Sequence, residues 1–377
     1  MLKYLHSQTP IKQIYMFMQN KRTISFVEAI KESIYTSIKK DNNIFLMGEG
    51  VDDPSSMWGT IKGVKKEFGK NKTLEMPVSE NAMIGLAIGS AIMGSKPIVN
   101  LQRVEFAFLA LEQIFNNAAK THYVTDGKLN VPLVIRLIIG RGWGQGPNHS
   151  QSLESIFSYF PGLKVVMPCF PYEAKGLLTS SIQDKNPVIF LEHRWLHNTL
   201  GHVPKGYYKL DLKSASKINN GKELTIVSNS FSTLEALKVV NFLSNYGITC
   251  DLFNLRVLNP LNISNIYSSV KKTKKILTID TGHIKLGMGS EIISSVIEKN
   301  ITKNIKAIRM GLPDHPTPSS RGLIKNFYPS PYQILNNVLK LIGLSKIKKN
   351  SLLKKFKEEN EEKKFIDIPD PSFKGPF

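Results

Sequence analysis

Two carboxylates in this sequence stand where an α/β sheet presents its chemistry. Glu80 follows Thr73-Leu74-Glu75-Met76-Pro77-Val78-Ser79, a β-type run that stops at Pro77 and Val78. It precedes the small-residue stretch Asn81-Ala82-Met83-Ile84-Gly85-Leu86-Ala87-Ile88-Gly89. Ser79 is a candidate cap for that stretch, which puts Glu80 in a helix's first turn at the carboxyl end of a strand. Open α/β sheets bind ligands at such positions. The plainer alternative is that Glu80 only complements the helix dipole. Glu49, in Leu46-Met47-Gly48-Glu49-Gly50, also sits just past a strand and is the second carboxylate candidate.

A third candidate is His149, at the end of Gly140-Arg141-Gly142-Trp143-Gly144-Gln145-Gly146-Pro147-Asn148-His149-Ser150-Gln151. Four glycines at alternate positions let backbone approach a ligand closely and let the loop move. The loop has neither a GK[ST] ending nor a GxGxxG register, so it is not a phosphate loop. A histidine there can give or take a proton, or simply decorate the surface. His193 and His197 are four apart, a metal-ligand spacing on a helix, but no glutamate lies between them as such sites require. His283, in Asp280-Thr281-Gly282-His283, follows a strand and suits a ligand or an interface. There is no nucleophile elbow and no Ser/His/Asp order, so hydrolase chemistry has no support.

The elements that must position these residues alternate between two periods. Strands are expected at Ile44–Gly48, Lys96–Leu101, Pro132–Ile139, Leu163–Pro168 and Pro187–Leu191, and helices at Phe26–Lys39, Asn81–Met93, Ala107–Tyr123 and Tyr172–Gln183. A second unit has strands at Leu224–Ser228, Ile248–Leu255, Lys275–Ile279 and Ile305–Met310. Its helices fall at Ser232–Tyr246, Ser264–Lys271, Gly289–Glu298 and Tyr332–Ile342. Alternation of this kind predicts an α/β protein with two parallel-sheet domains. The expected divisions are a basic extension over 1–25, a first domain over 26–199, a linker over 200–217, a second domain over 218–345 and a charged, Pro/Phe-rich tail over 346–377.

Composition removes other classes. Two cysteines in 377 residues exclude a disulfide scaffold and a cysteine-rich metal module. The longest apolar run, Ala82 to Gly94, is too short to span a membrane. Lys and Arg exceed Asp and Glu by 50 to 30, but only eight of the fifty are Arg. Base and phosphate readout leans on the arginine fork, so neither a nucleic-acid nor a membrane partner is expected. Residues 1–25 hold four basic and no acidic residues without the Arg and Ser enrichment of a transit peptide. A cytoplasmic protein is expected, or an organelle-matrix one if that segment is a targeting peptide.

Taken in order, these motifs resemble a known family. The series is Gly48-Glu49, Pro77-Val78-Ser79-Glu80 with its Gly/Ala helix, Ala118-Ala119-Lys120 with Tyr123, and the glycine loop ending His149-Ser150-Gln151. It continues through Phe160-Pro161-Gly162-Leu163-Lys164-Val165-Val166-Met167-Pro168, Asp184-Lys185-Asn186-Pro187, Asn254-Leu255-Arg256 with Pro260, and Gly287-Met288-Gly289-Ser290-Glu291-Ile292. From about Phe26 to Gly343 the chain resembles the beta subunit of thiamine-diphosphate-dependent 2-oxo acid dehydrogenases of the pyruvate, branched-chain or acetoin type. The resemblance implies a transketolase-like pyrimidine-binding domain followed by a transketolase C-terminal-like domain. It implies an oxidoreductase component that decarboxylates a 2-oxo acid and passes on the acyl group. A transketolase-like subunit that gives the activated aldehyde to a carbonyl acceptor is the alternative.

The resemblance also implies roles. Glu80 matches the glutamate that hydrogen-bonds the cofactor's aminopyrimidine, and Glu49 an acid in the network joining paired sites. Phe106 matches the aromatic residue against the pyrimidine, with Val78 and Gln102 beside the ring, and His149 the histidine facing substrate. A structural K+ would be held through backbone oxygens at Leu133, Ser181, Ile182, Asp184 and Asn186. The diphosphate signature, Gly-Asp-Gly followed by paired Asn, is missing here. That implies an alpha subunit carrying the diphosphate and Mg2+ site in an α2β2 heterotetramer, which could serve a lipoyl acyltransferase. Gln102 and Trp143 are similar to the branched-chain type. Arg103 stands where an apolar residue is usual; a cation beside the pocket would suit a polar or acidic 2-oxo acid, and one pointing away would carry no meaning. The ending Pro369-Asp370-Pro371-Ser372-Phe373-Lys374-Gly375-Pro376-Phe377 departs from the family and is expected to dock on the alpha chain or to mark a biosynthetic relative.

Overall fold

The computed structural model describes residues 22–53, 57–360 and 367–368. Most of the expected extension (1–21) and most of the Pro/Phe-rich ending (361–366 and 369–377) lie outside the described residues. The strands are β1 (Thr23–Ser25), β2 (Ile44–Gly48), β3 (Thr73–Glu75), β4 (Lys96–Leu101), β5 (Val134–Ile139), β6 (Lys164–Val166) and β7 (Val188–His193). They continue with β8 (Leu200–His202), β9 (Ser216–Asn219), β10 (Leu224–Ser228), β11 (Cys250–Asn254), β12 (Val257–Asn259), β13 (Lys275–His283) and β14 (Lys306–Leu312). The longer helices are α1 (Phe26–Lys40), α2 (Glu80–Ile92), α3 (Pro171–Ile182) and α4 (Ser230–Ser244). After them come α5 (Ser264–Thr273), α6 (Met288–Glu298), α7 (Pro331–Ile342) and α8 (Lys346–Glu359).

Two sheets organise the chain, as the alternating pattern predicts. The first runs β12-β6-β7-β5-β4-β2-β3, parallel except for β12, and the second runs β14-β13-β10-β11-β9, parallel except for β9. Central strands such as β5 and β7 are buried at every residue, which is why they read as unbroken apolar runs rather than alternating ones. Helices α1 and α3 lie side by side over the first sheet, with Ser33 and Thr179 sharing a buried hydroxyl contact of 2.9 Å. Ser25 starts α1 with a capping box, its Oγ accepting from the Glu28 N–H at 3.1 Å.

Three features depart from the sequence reading. Thr23–Ser25 and Leu200–His202, expected in the extension and the linker, pair antiparallel as a two-stranded sheet. Residues 107–123 do not form one helix: a 3₁₀ segment (Val104–Ala110) leads into a π-helical turn (Gln113–Ala118) and a short helix (Thr121–Val124). Within the wider turn Phe115 stacks flat on Phe160 at 3.6 Å between ring centroids. Finally, β12 leaves the second half of the chain and adds to β6, where the Met167 N–H also donates to the Arg256 carbonyl. An edge strand with unpaired backbone groups is thereby closed by the other domain.

Beneath the carboxyl ends of the first sheet lies a wholly buried ionic network. Arg136 of β5 donates to both carboxylate oxygens of Glu192 on β7, at 2.6 and 2.9 Å, and to Asn100 Oδ1 on β4 at 2.6 Å. The Asn100 amide in turn donates to the Met47 carbonyl of β2 at 3.4 Å. Burial alone would raise the Glu192 carboxyl, but the Arg136 charge and hydrogen bonds hold it below its ordinary range. Removing one partner of such a pair strands a buried charge. Arg136→Met should therefore cost about 3–5 kcal/mol, and Arg136→Met with Glu192→Leu should recover much of the loss. Urea midpoints of the three proteins test this; a single variant as stable as the parent would contradict it.

Candidate active site

Glycine geometry sets the first carboxylate. At the end of β2, Gly48 has φ +148°, and a Cβ there would lie 2.2 Å from the Asn100 carbonyl oxygen. Gly50 has φ +70°, and its Cβ would meet Gln102 Nε2 at 2.3 Å. Backbone blocks any side chain at Gly48 and the left-handed φ favours glycine at Gly50, so the chain turns sharply around Glu49. Glu75, at the end of β3, clasps the turn by accepting from the Gly50 N–H at 2.8 Å and the Asp52 N–H at 2.7 Å. Gln102 thus lies directly against the turn that carries Glu49.

Glu80 is the first residue of α2 and is 3% exposed, while Glu49 is 9% exposed. Ser79 precedes the helix but its side chain makes no cap hydrogen bond, contrary to expectation, because its backbone is away from the usual cap geometry at φ −160° and ψ 74°. The two carboxyl groups interact across the site. Burial, the Glu80 charge, a hydrogen bond with Glu80 and the Glu75 charge push the Glu49 carboxyl up to about 7. Glu49 Oε1 is also buried without a hydrogen-bond partner. Such a pair keeps a proton available near neutral pH.

Phe106 and His149 meet edge to face, ring centroids 5.7 Å apart. The glycine loop that brings His149 there is tied at three points. At its base the Gly140 N–H donates to the Gln151 carbonyl at 3.0 Å, and the Gln151 N–H donates to Glu105 Oε1 at 2.7 Å. Its middle is held by Asp367, whose carbonyl accepts from the Trp143 N–H and whose Oδ2 accepts from the Gly144 N–H, both at 2.9 Å. The Gln145 amide oxygen accepts from both Arg103 and Arg194. Burial and the neighbouring Arg103 charge lower the His149 imidazole, leaving it neutral at pH 7. Val78 is 80% exposed, on the open side of the same end of the sheet.

The remaining histidines take structural parts. His193 is buried, stacks on Phe231 at 5.1 Å and accepts from the Trp195 N–H through Nδ1. His197 is buried with Nε2 3.7 Å from Glu192, and His283 contacts the Pro313 carbonyl at 2.8 Å. No cluster of His, Cys, Asp or Glu able to hold a metal occurs among the described residues. The five positions expected around K+ do gather at one corner. Ser181, Ile182, Asp184 and Asn186 lie at the end of α3 and in the following turn, and Leu133 joins through the Val188 N–H at 2.9 Å. Lys164 already pairs with the Asp184 carboxylate at 2.6 Å, so only carbonyl and amide oxygens remain there.

The arrangement fits an aminopyrimidine: two buried carboxyls, one raised and with an unmet oxygen, on a turn against Gln102, with Phe106 four residues further on packed edge to face with His149. Residues 22–198 match the family described as transketolase, pyrimidine binding domain, and residues 213–334 match transketolase, C-terminal domain. The acetoin:2,6-dichlorophenolindophenol oxidoreductase subunit beta of Cupriavidus necator is 35% identical over 83% of this chain and 96% of that protein. The pyruvate dehydrogenase E1 component subunit beta of Porphyra purpurea is 34% identical over 85% of this chain and 97% of that one. The chain belongs to the family of these beta subunits. Its fold is also that of a solved split-gene transketolase, described as an inactive beta4 tetramer, with a TM-score of 0.67 and 19% identity over 85% of this chain and 99% of that one. No described helix is long and apolar enough to cross a membrane.

Within this family member, several site residues escaped the sequence reading. Gln145, Arg194 and Asp367 meet across the glycine loop, and Arg141 lies with them over Trp195 at 4.0 Å and Tyr328 at 4.2 Å. The only local hint was a cation directly after an apolar strand in Glu192-His193-Arg194. The raised Glu49 carboxyl has a measurable consequence. Below the ordinary glutamate range both folded and unfolded states hold its proton; between there and about pH 7 only the folded state does. Its contribution to stability is therefore complete at low pH and lost as pH rises towards 7. Melting temperatures from pH 4 to 8 should fall less steeply in Glu49→Gln than in the parent, and parallel curves would contradict the assignment.

Proposed function

We propose that this chain is the pyrimidine-binding half of a thiamine-diphosphate-dependent 2-oxo acid dehydrogenase, active only with an alpha subunit. The observation that carries this reading is the buried Glu49–Glu80 pair, in which the Glu49 carboxyl is pushed up to about 7. Thiamine diphosphate supplies a thiazolium carbon that serves as nucleophile and electron sink for decarboxylation. Glu80 would hold a proton against the aminopyrimidine ring nitrogen, with Glu49 supplying or taking the shared proton behind it. Phe106 would pack on the ring, Gln102 and Val78 would flank it, and Gly48 and Gly50 let backbone come close. His149, neutral and on a loop, would exchange a proton with the substrate oxygen.

The alpha partner is supported by two things: the missing diphosphate signature and an apolar surface beside the site. Val78, Leu86, Leu109 and Met93 are exposed on and around α2, the helix that begins with Glu80. Covering them in an α2β2 assembly would bury them and complete the cofactor and Mg2+ site. A lipoyl acyltransferase would then collect the acyl group. The K+ site is supported by the closeness of these positions in the fold and by Asn186 Oδ1, which is buried with no partner. If K+ sits there, KCl should raise the melting temperature by a few degrees over equal NaCl; identical curves would remove the site.

The central test uses this chain assembled with its alpha partner, thiamine diphosphate and Mg2+. Cofactor-dependent decarboxylation of a 2-oxo acid is expected, falling roughly 10²–10⁴-fold in Glu80→Gln. An assembled complex that binds no cofactor would overturn the proposal, and an active Glu80→Gln enzyme would overturn the role given to Glu80.

A further inference from the structure

Arg103 carries a charge that its surroundings do not answer. The residue is 3% exposed, and among the described residues no carboxylate hydrogen-bonds it. One guanidinium nitrogen, Nη2, donates to the neutral amide oxygen of Gln145; the other, Nη1, is buried with no partner. The Trp58 ring lies 5.7 Å away, and Arg194 donates to the same Gln145 oxygen, so a second cation adds repulsion instead of relief. Neither nearby acid hydrogen-bonds it. Glu105 attracts Arg103 but gives its Oε1 to the Gln151 N–H, and Asp367 faces Arg141 and Arg194 while accepting from Gly144. Burying a guanidinium in this way is costly unless an anion arrives to meet it.

Its place makes the arriving anion a substrate group. Gln102 touches the turn of Glu49, Phe106 touches His149, and Arg103 stands between them in sequence with its charge felt by the His149 ring. Gln145, which orients Arg103, belongs to the same loop as His149. We propose that Arg103, oriented by Gln145, determines specificity for a substrate bearing a second anionic group beyond its reacting carbonyl. The inference rests on the function proposed above. The guanidinium fork would accept either a distal carboxylate on a 2-oxo acid or the phosphate of a phosphorylated aldehyde, since both present paired oxygens.

The assembled alpha–beta complex decides this by equilibrium binding of two matched pairs. One pair is 2-oxoglutarate and 2-oxovalerate, equal in carbon count and differing in the distal carboxylate. The other is erythrose 4-phosphate and erythrose. The parent complex is expected to favour the anionic member of one pair roughly 10- to 100-fold, the worth of a charge-assisted hydrogen bond. Which pair responds names the source of the anion. Arg103→Gln should abolish the preference, and Arg103→Lys, which keeps charge but loses the fork, should restore part of it. Equal affinities in the parent, or a preference that Arg103→Gln leaves intact, would overturn the proposal. If Arg103→Gln fails to assemble, the parent ratio together with Arg103→Lys decides. Decarboxylation with added cofactor is scored separately: its absence with the preference intact would sink the thiamine reading and leave the anion site standing.

Discussion

The buried hydrogen-bonded network around Arg136 is the constraint on which the site depends. One guanidinium joins β5 to β7 through Glu192 and to β4 through Asn100, and Asn100 extends the connection to β2. Four neighbouring strands are thus tied in register just below their carboxyl ends. The residues above them inherit that register. The turn after β2 carries Glu49, the segment after β4 carries Gln102, Arg103 and Phe106, and the loop after β5 leads to His149. An apolar side chain at Arg136 could fill the same space but could not fix four strands relative to one another, because dispersion contacts carry little directionality.

Charge separates the site into two zones. On the β2 side, carboxyl groups crowd together, and burial with the Glu80 and Glu75 charges makes Glu49 harder to ionise. On the loop side, arginines crowd: burial lowers Arg103 to about 10, and burial with repulsion from Arg103 lowers Arg194 to about 9. A proton reservoir beside a cationic patch is a useful arrangement for a reaction that starts from an anion and generates charge at carbon. His149 belongs to the loop side, packed on Phe106 at 5.7 Å and lowered by burial and the Arg103 charge.

How much of this was legible beforehand depended on the range of the interactions. Strands Ile44–Gly48, Lys96–Leu101 and Leu224–Ser228 match the sequence reading residue for residue, because short apolar runs bounded by polar residues or glycine are a local signal. Residues 107–123 misled because Ala, Leu, Gln and Glu favour a helix, while the π-turn is dictated by tertiary contacts such as Phe115 on Phe160. Ser79 had the right identity for a cap and the wrong backbone. Glu49 and Glu80 could be nominated separately from their strand ends; their interaction appears only in the fold, since the resemblance gave Glu49 a place in a network joining paired sites. Nothing local foretells that Gln145 meets Arg103 and Arg194, 42 and 49 residues away.

Asp367 has a consequence for the order in which the protein is completed. Its carboxylate bonds the Gly144 amide across 223 residues of chain, long after both sheets have been laid down. On the ribosome, the sheets and the carboxylate pair can assemble while the loop bearing His149 still lacks its middle tether. A nascent chain released before residue 367 would keep the scaffold and leave two glycine-loop amides, those of Trp143 and Gly144, to water. The arrival of Asp367 thereby acts as a completeness check on the reactive end of the molecule.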